Sequence, residues 1–312
     1  VASSRGNWAF AEDIDMIELV EVSPRDGLQN ERTILPVDTK VALIERAISA
    51  GMRRIEVASF VRPDAVPQMA GAEEVVARLR PGAARYIGLV LNKRGALRAL
   101  DTAVDEIGFV CVATDTFGMR NQRQTSEQSL TEACDVLNLL QSEKREAHAM
   151  IAVAWGCPFE GSVPRDKVVA MASSLADAGS LEIGLADTIG IARPAEVEAL
   201  TRLVTDAVAP LPVRVHLHDT RGMGVANALA AIRGGASVID AAIGGTGGCP
   251  FAPGAAGNLA TEDLVYALSA DVEVDLDGLI ATAIWLNGEL SRDRASALVR
   301  AHMSHGADHA HR

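Results

Sequence analysis

"VRVHLHDTRG" (213–222) is the stretch on which the reading of the fold turns. Read as a β-strand, it places Val213, Val215 and Leu217 on one face and Arg214, His216 and His218 on the other, because successive side chains alternate. The apolar face calls for a covering layer. The other face holds two imidazoles side by side, close enough to share one divalent metal ion. A lone histidine in apolar surroundings is normally a packed core residue, so the metal reading needs ligands from elsewhere in the chain.

Working outward from that strand, similar runs recur at 17–23, 53–60, 84–91, 106–114, 147–155, 181–188 and 237–245. Helical patterns separate them, and an eighth, "LATEDLVYALS" (259–269), follows the last. Asp38 precedes a helix that Gly51 closes, Gly179 closes another, and Pro194 opens a third where its missing N–H costs nothing. Eight β–α units over residues 17–270 predict an α/β fold of the (β/α)8 TIM-barrel type. A doubly wound open sheet is the alternative, disfavoured because no Gly-rich dinucleotide fingerprint appears. Residues 1–16 are read as an N-terminal extension, 271–304 as helices appended to the barrel, and 305–312 as a polar, disordered tail.

The 312 residues are 48% hydrophobic but only 4% aromatic, which predicts a large aliphatic, Ala-rich core. A formal charge of −12 without basic runs argues against nucleic acid as a partner. No apolar run approaches the length of a membrane span, and the first residues lack the apolar segment of a signal peptide. Cys111, Cys134, Cys157 and Cys249 form no C-x-x-C pair and no disulfide framework, which fits a reducing, cytoplasmic setting.

Enzymes of this architecture carry their sites where strands end and the following loops begin. Polar residues gather at those ends: Arg25, Asp26, Gln29, Asn30 and Glu31 after the first strand, Asp187 after the sixth, and His216, His218 and Asp219 at the seventh. Alternation points Glu56 of the second strand into the barrel. The loop "GGTGGCPFAPGAAGN" (244–258) carries Cys249 and ends on Asn258. Asp187 and Asp219 could equally cap turns, and Asn258 could cap the last barrel helix. Together, however, Asp26, His216, His218 and Asn258 form a mixed oxygen and nitrogen ligand set. Such a set suits Mg²⁺ or Mn²⁺, with Zn²⁺ less favoured.

The segments "EVSPRDGLQNE" (21–31), "IEVASFV" (55–61), "VPQM" (66–69), "GCPFEG" (156–161), "ADTIG" (186–190), "HLHDT" (216–220) and "GGCPFAPGAAGNLATEDLVY" (247–266) resemble the 3-hydroxy-3-methylglutaryl-CoA (HMG-CoA) lyase family. That family belongs to the DRE-TIM metallolyase superfamily. The resemblance implies a (β/α)8 barrel, an acyl-CoA substrate and cleavage of HMG-CoA to acetyl-CoA and acetoacetate. It implies a divalent cation on Asp26, His216, His218 and Asn258, catalytic roles for Arg25 and Cys249, and active-site acids at Glu56 and Asp187. The base that takes the substrate's hydroxyl proton is Asp187 or His216. A homo-oligomer, such as a dimer, is expected.

Three departures from the family pattern lie beside the pocket. Gly184 stands where a hydroxyl residue is expected, Ala186 where a glycine is expected, and "IGGTGG" (243–248) replaces "VAGLGG". They leave the acyl group open: HMG-CoA, another 3-substituted glutaryl-CoA, or citramalyl-CoA. A Claisen-type condensing enzyme and a barrel with a purely structural metal are the readings from other classes.

Overall fold

The computed structural model describes residues 17–248, 257–268, 272–293 and 295–309, with side chains through residue 304. Eight parallel strands close into a barrel: β1 (Glu18–Glu21), β2 (Arg54–Ser59), β3 (Arg85–Val90), β4 (Glu106–Val112), β5 (Glu146–Ala152), β6 (Ile183–Asp187), β7 (Val213–Leu217) and β8 (Val238–Ala241). Each pairs with its neighbours in sequence, and β8 pairs with β1 through Glu18 opposite Val238 to close the ring. Every strand-like run of the sequence is a barrel strand. Between β5 and the next helix a short antiparallel pair, Gly156–Cys157 with Gly161–Ser162, folds beside the rim.

The helices are α1 (Val37–Ser49), α2 (Ala72–Arg78), α3 (Lys93–Leu100), α4 (Asp115–Asn121), α5 (Ser126–Ser142), α6 (Arg165–Asp177), α7 (Pro194–Val208), α8 (Gly224–Arg233), α9 (Thr261–Leu268), α10 (Leu276–Leu290) and α11 (Ala297–His309). Gly51 and Gly179 take positive φ just past α1 and α6, where a side chain would be strained. Pro194 opens α7 as expected. Asp38 lies inside the first turn of α1 rather than before it, because the helix starts at Val37. The helix α4 had no sequence signal, being seven residues long with Gly118 in its middle. The helical backbone of α11 reaches His309, so it enters the segment read as a disordered tail.

The aliphatic core expected from composition lies between strands and helices. Val213, Val215 and Leu217 of β7 point into it, all at most 1% exposed. The space inside the barrel is different. Among the described residues, only Val20, Val22, Ile87, Val238 and Ala242 form an apolar cluster apart from that core. The remaining interior positions include Arg54, Glu56, Glu106, His148, Glu182, Arg214 and Asp240, all buried. Composition could not reveal this, because seven polar residues barely shift an average. Small residues make the room: a Cβ on Gly108 would come within 2.8 Å of His148 Nε2.

Candidate active site

Immediately after β1 the chain makes one turn of π-helix, Ser23–Gly27, with Pro24 near its start. Such wide turns concentrate at functional positions because they re-aim side chains. Here the turn brings Arg25 and Asp26 to the C-terminal mouth of the barrel. The Arg25 Nε donates to Glu56 Oε1 of β2, and Nη1 donates to Asp26 Oδ1 at 2.7 Å. The inward reading of Glu56 therefore holds.

The histidines end β7. His216 directs Nδ1 at Asp240 Oδ2, 3.0 Å away, and Nε2 toward Asp26 Oδ2, 3.8 Å away. The His218 ring stands edge-on to His216, with centroids 5.2 Å apart. One ligand atom each from Asp26, His216 and His218 lies within 4.8 Å of the others, so the three can hold one ion.

Asn258 joins them from the far side of the Gly-rich loop. The returning chain pairs with the end of β7 through Asp219 N to Gly257 O and Leu259 N to Leu217 O, both 3.0 Å. Asn258 Nδ2 then donates to Asp26 Oδ2 at 2.8 Å and to Thr246 O at 3.0 Å. It does not cap α9, which starts at Thr261.

Among the described residues, two buried atoms here have no partner, Asn258 Oδ1 and His218 Nδ1. A buried acceptor left unpaired carries its full desolvation cost. One carboxylate, two imidazoles and a spare amide oxygen form a donor set that fits a divalent cation.

Charge supports the same picture. Burial works against the Asp26 carboxylate, but Arg25, His216, His218 and the Asn258 bond together hold its pKa well below the usual range. Burial and the neighbouring His216 push His218 down to about 4, which keeps it neutral and able to ligate. Burial also lowers His216, yet the Asp240 bond and the Asp26 charge outweigh it and raise the pKa.

Asp187, at the end of β6, is buried with both oxygens engaged. Oδ1 accepts from Ile191 N and Oδ2 from Ala192 N, each at 3.0 Å, so it caps the following loop. Burial nonetheless raises its pKa above the ordinary carboxylate value. Asp219 likewise caps a turn, accepting from Gly224 N at 2.7 Å. Cys249 lies outside the described residues. Cys157, its competitor from sequence, is buried against Thr114 Oγ1 at 3.1 Å.

A cavity of about 210 Å³ opens beside the ligand cluster. Arg25, Asp26, His216 and His218 form its polar end. Leu89, Val110, Phe117, Met150 and Ala186 form an apolar wall. Gly184 does not line the cavity; a Cβ there would meet the Met150 side chain at 2.9 Å.

Three contributors were missed from sequence. Asp240 was hidden in the run 237–245, though alternation places it on the inner face, in register with His216. Arg214 was seen beside the histidines without a task. Phe117 belongs to the unread helix α4.

The HMGL-like family model matches residues 16–284. The (R)-citramalyl-CoA lyase of Chloroflexus aurantiacus is 41% identical over 293 residues, covering 89% of this chain and 92% of that protein. The mitochondrial hydroxymethylglutaryl-CoA lyase of Mus musculus is 37% identical over 290 residues, covering 91% and 89%. Among solved structures, an HMG-CoA lyase from Acinetobacter baumannii, in complex with coenzyme A and 3-methylmalate, superposes with a TM-score of 0.86 at 40% identity. The match covers 92% of this chain and 95% of that one.

Proposed function

The chain belongs to the HMGL-like family, the family of HMG-CoA lyases, and from that premise we propose that it is a divalent-metal-dependent carbon–carbon lyase cleaving HMG-CoA to acetyl-CoA and acetoacetate. The observation that carries this reading is the convergence of Asp26, His216, His218 and Asn258, whose Oδ1 has no partner among the described residues, beside Arg25 at the polar end of one cavity.

Asp26, His216, His218 and Asn258 would hold Mg²⁺ or Mn²⁺. The ion would lower the pKa of the substrate's C3 hydroxyl and orient it. The chain's residues do the rest. Loss of the hydroxyl proton lets the C3–O electrons form a ketone, and the C2–C3 bond breaks. Its electron pair passes into the thioester as an enolate, and protonation at C2 completes acetyl-CoA. Arg25 suits the enolate oxygen: Glu56 and Asp26 fix Nε and Nη1, leaving Nη2 without a partner among the described residues. Asp187 is the acceptor of the hydroxyl proton in this reading, acting through a relay, because burial raises its proton affinity. His216 is the weaker candidate, with one nitrogen on Asp240 and the other facing the ion site. Cys249 is the proton donor to C2, carried by the loop that ends on Asn258.

The apolar wall favours a second reading. Leu89, Val110, Met150 and Ala186 offer no cation to a carboxymethyl arm. A substrate whose carboxylate sits on the carbinol carbon would keep that charge at the polar end, as citramalyl-CoA does. The experiment gives the full chain HMG-CoA or citramalyl-CoA with Mg²⁺, and scores acetoacetate, pyruvate and free thiol. Acetoacetate without new thiol supports the HMG-CoA reading. Pyruvate with acetyl-CoA moves the substrate to the citramalyl type. Thiol release from acetyl-CoA plus a 2-oxoacid would turn the chain into a condensing enzyme.

A further inference from the structure

One guanidinium occupies the middle of the barrel. Arg214 is 1% exposed and sits on β7 two residues before His216, on the same face. Its Nε donates to Asp240 Oδ1. Its Nη2 makes no hydrogen bond among the described residues and faces Glu56 Oε2 at an ion-pair distance of 3.7 Å. Each carboxylate spends its other oxygen on the site above. Asp240 Oδ2 faces His216 Nδ1 at 3.0 Å, and Glu56 Oε1 accepts from Arg25 Nε.

The third nitrogen is also engaged. Arg214 Nη1 lies 3.1 Å from His148 Nε2. A guanidinium only donates, so His148 Nε2 accepts and its proton sits on Nδ1, 3.5 Å from Glu106 Oε2. The fork is thus held from below while it reaches two carboxylates above. Two buried carboxylates without a cation would be costly, and a lysine's single point charge lacks the planar geometry to serve both.

We propose that Arg214 is the positioning residue of this site, setting through Asp240 the donor atom that His216 offers the metal and through Glu56 the orientation of Arg25. On the first arm, His216 Nδ1–H donates to Asp240, which fixes the proton on Nδ1 and leaves the Nε2 lone pair for the ion. On the second, Glu56 pins one edge of Arg25 and leaves the other to the substrate. The inference rests on the metal-site reading, and the parent chain tests that reading separately.

The test is Mn²⁺ titration by calorimetry alongside steady-state cleavage kinetics, on the full chain. A parent chain that binds no Mn²⁺ overturns the metal site itself. Asp240→Asn should weaken Mn²⁺ by about 10–100-fold, the scale of losing an outer-shell partner of a ligating histidine. Glu56→Gln should leave Mn²⁺ affinity within about twofold, as expected of an independent site, while kcat falls and KM stays. Arg214→Lys should show both losses at once, with its melting transition kept. An Arg214→Lys protein with parental Mn²⁺ affinity, or with parental kcat, overturns the proposal. If that variant does not fold, the double variant Asp240→Asn with Glu56→Gln decides. A shared cation makes its loss in kcat/KM differ by more than about threefold from the product of the single losses. A loss equal to that product overturns it.

Discussion

At the lower mouth of the barrel, Arg54 donates to both oxygens of Glu106, to Glu182 at 2.7 Å and to Glu18 at 2.9 Å. At the upper mouth, Arg25 donates to Glu56 and Asp26. Both mouths set an arginine among carboxylates, with histidines close by and a cavity in front. The lower cavity is the larger, about 360 Å³ against about 210 Å³. What separates them is satisfaction. Among the described residues, Arg54, Glu106, Glu182 and His148 leave no buried side-chain polar atom without a hydrogen bond, whereas the upper cluster leaves His218 Nδ1 and Asn258 Oδ1, and Arg214 Nη2 beneath it is unbonded as well. In the proposed function the saturated cluster holds the barrel together and the unsaturated one binds the ligand.

The largest effect should come from filling or emptying that unsaturated cluster. Exhaustive chelation is expected to lower turnover by about 10⁴-fold, the scale of several kcal/mol of lost charge stabilisation. His218→Ala should weaken Mn²⁺ by more than about 100-fold, beyond what outer-shell changes cost, and lower turnover in parallel. Calorimetry and activity on the same preparation check both. Full activity after chelation would erase the functional distinction between the mouths.

Arg54→Met attacks the saturated side. It leaves Glu106 with only the half-exposed Arg85 as a cation and Glu182 with only Arg214 at 3.7 Å, and about 3–5 kcal/mol of stability should go with the lost pairs. Turnover per folded molecule should hold. Urea unfolding gives the first quantity and kinetics at low temperature the second. A fall in kcat would mean that the lower cluster feeds the chemistry through His148 and Arg214.

Arg25→Lys tests the upper arginine alone. The charge stays, but the fork that binds Glu56 and Asp26 while keeping Nη2 spare is lost. We expect kcat to fall by about 10²–10³-fold, as for removal of a main oxyanion donor, with Mn²⁺ binding retained. Parental turnover would give Arg25 the same structural task as Arg54.

Much of this comparison was legible before any coordinates. The strand rhythm marked all eight barrel strands, because alternation and β-branching act locally. Asp26, His216, His218 and Asn258 could be collected because barrel topology carries strand ends to one rim. The pairing of Arg54 with Glu106 and Glu182 was not legible. Those residues are separated by 52 and 128 positions, and only closure of the barrel brings them together. Asp240 escaped for a related reason: a single acid in an apolar strand looks like an exception until its register against His216 is known. The helix α4 escaped because a seven-residue segment with a central glycine has no apolar period to detect.

The smallest effect concerns an acid that belongs to neither extreme. Glu262, in the first turn of α9, is fully buried behind the upper mouth and accepts from Gly244 N at 3.1 Å. Burial is the main cause that pushes its pKa up to about 7, and the bond to Gly244 offsets only part of that. The folded state therefore keeps this proton at pH values where the unfolded chain, with a pKa near 4.5, has released it. Where the folded state binds more protons, stability falls as pH rises. The Glu262 contribution should thus decline between pH 4.5 and 7 and level off above, by about 3 kcal/mol at most at 1.36 kcal/mol per unit. Asp26, Asp240 and Glu106 have depressed pKa values and act in the opposite direction at lower pH, so the parent curve mixes both signs. Glu262→Gln isolates the one term. Its stability relative to the parent should rise with pH over that window and level off above it, measured by urea unfolding at pH 5, 6, 7 and 8. A difference between the two proteins that does not change with pH would mean that Glu262 is as well satisfied as the acids of the lower mouth.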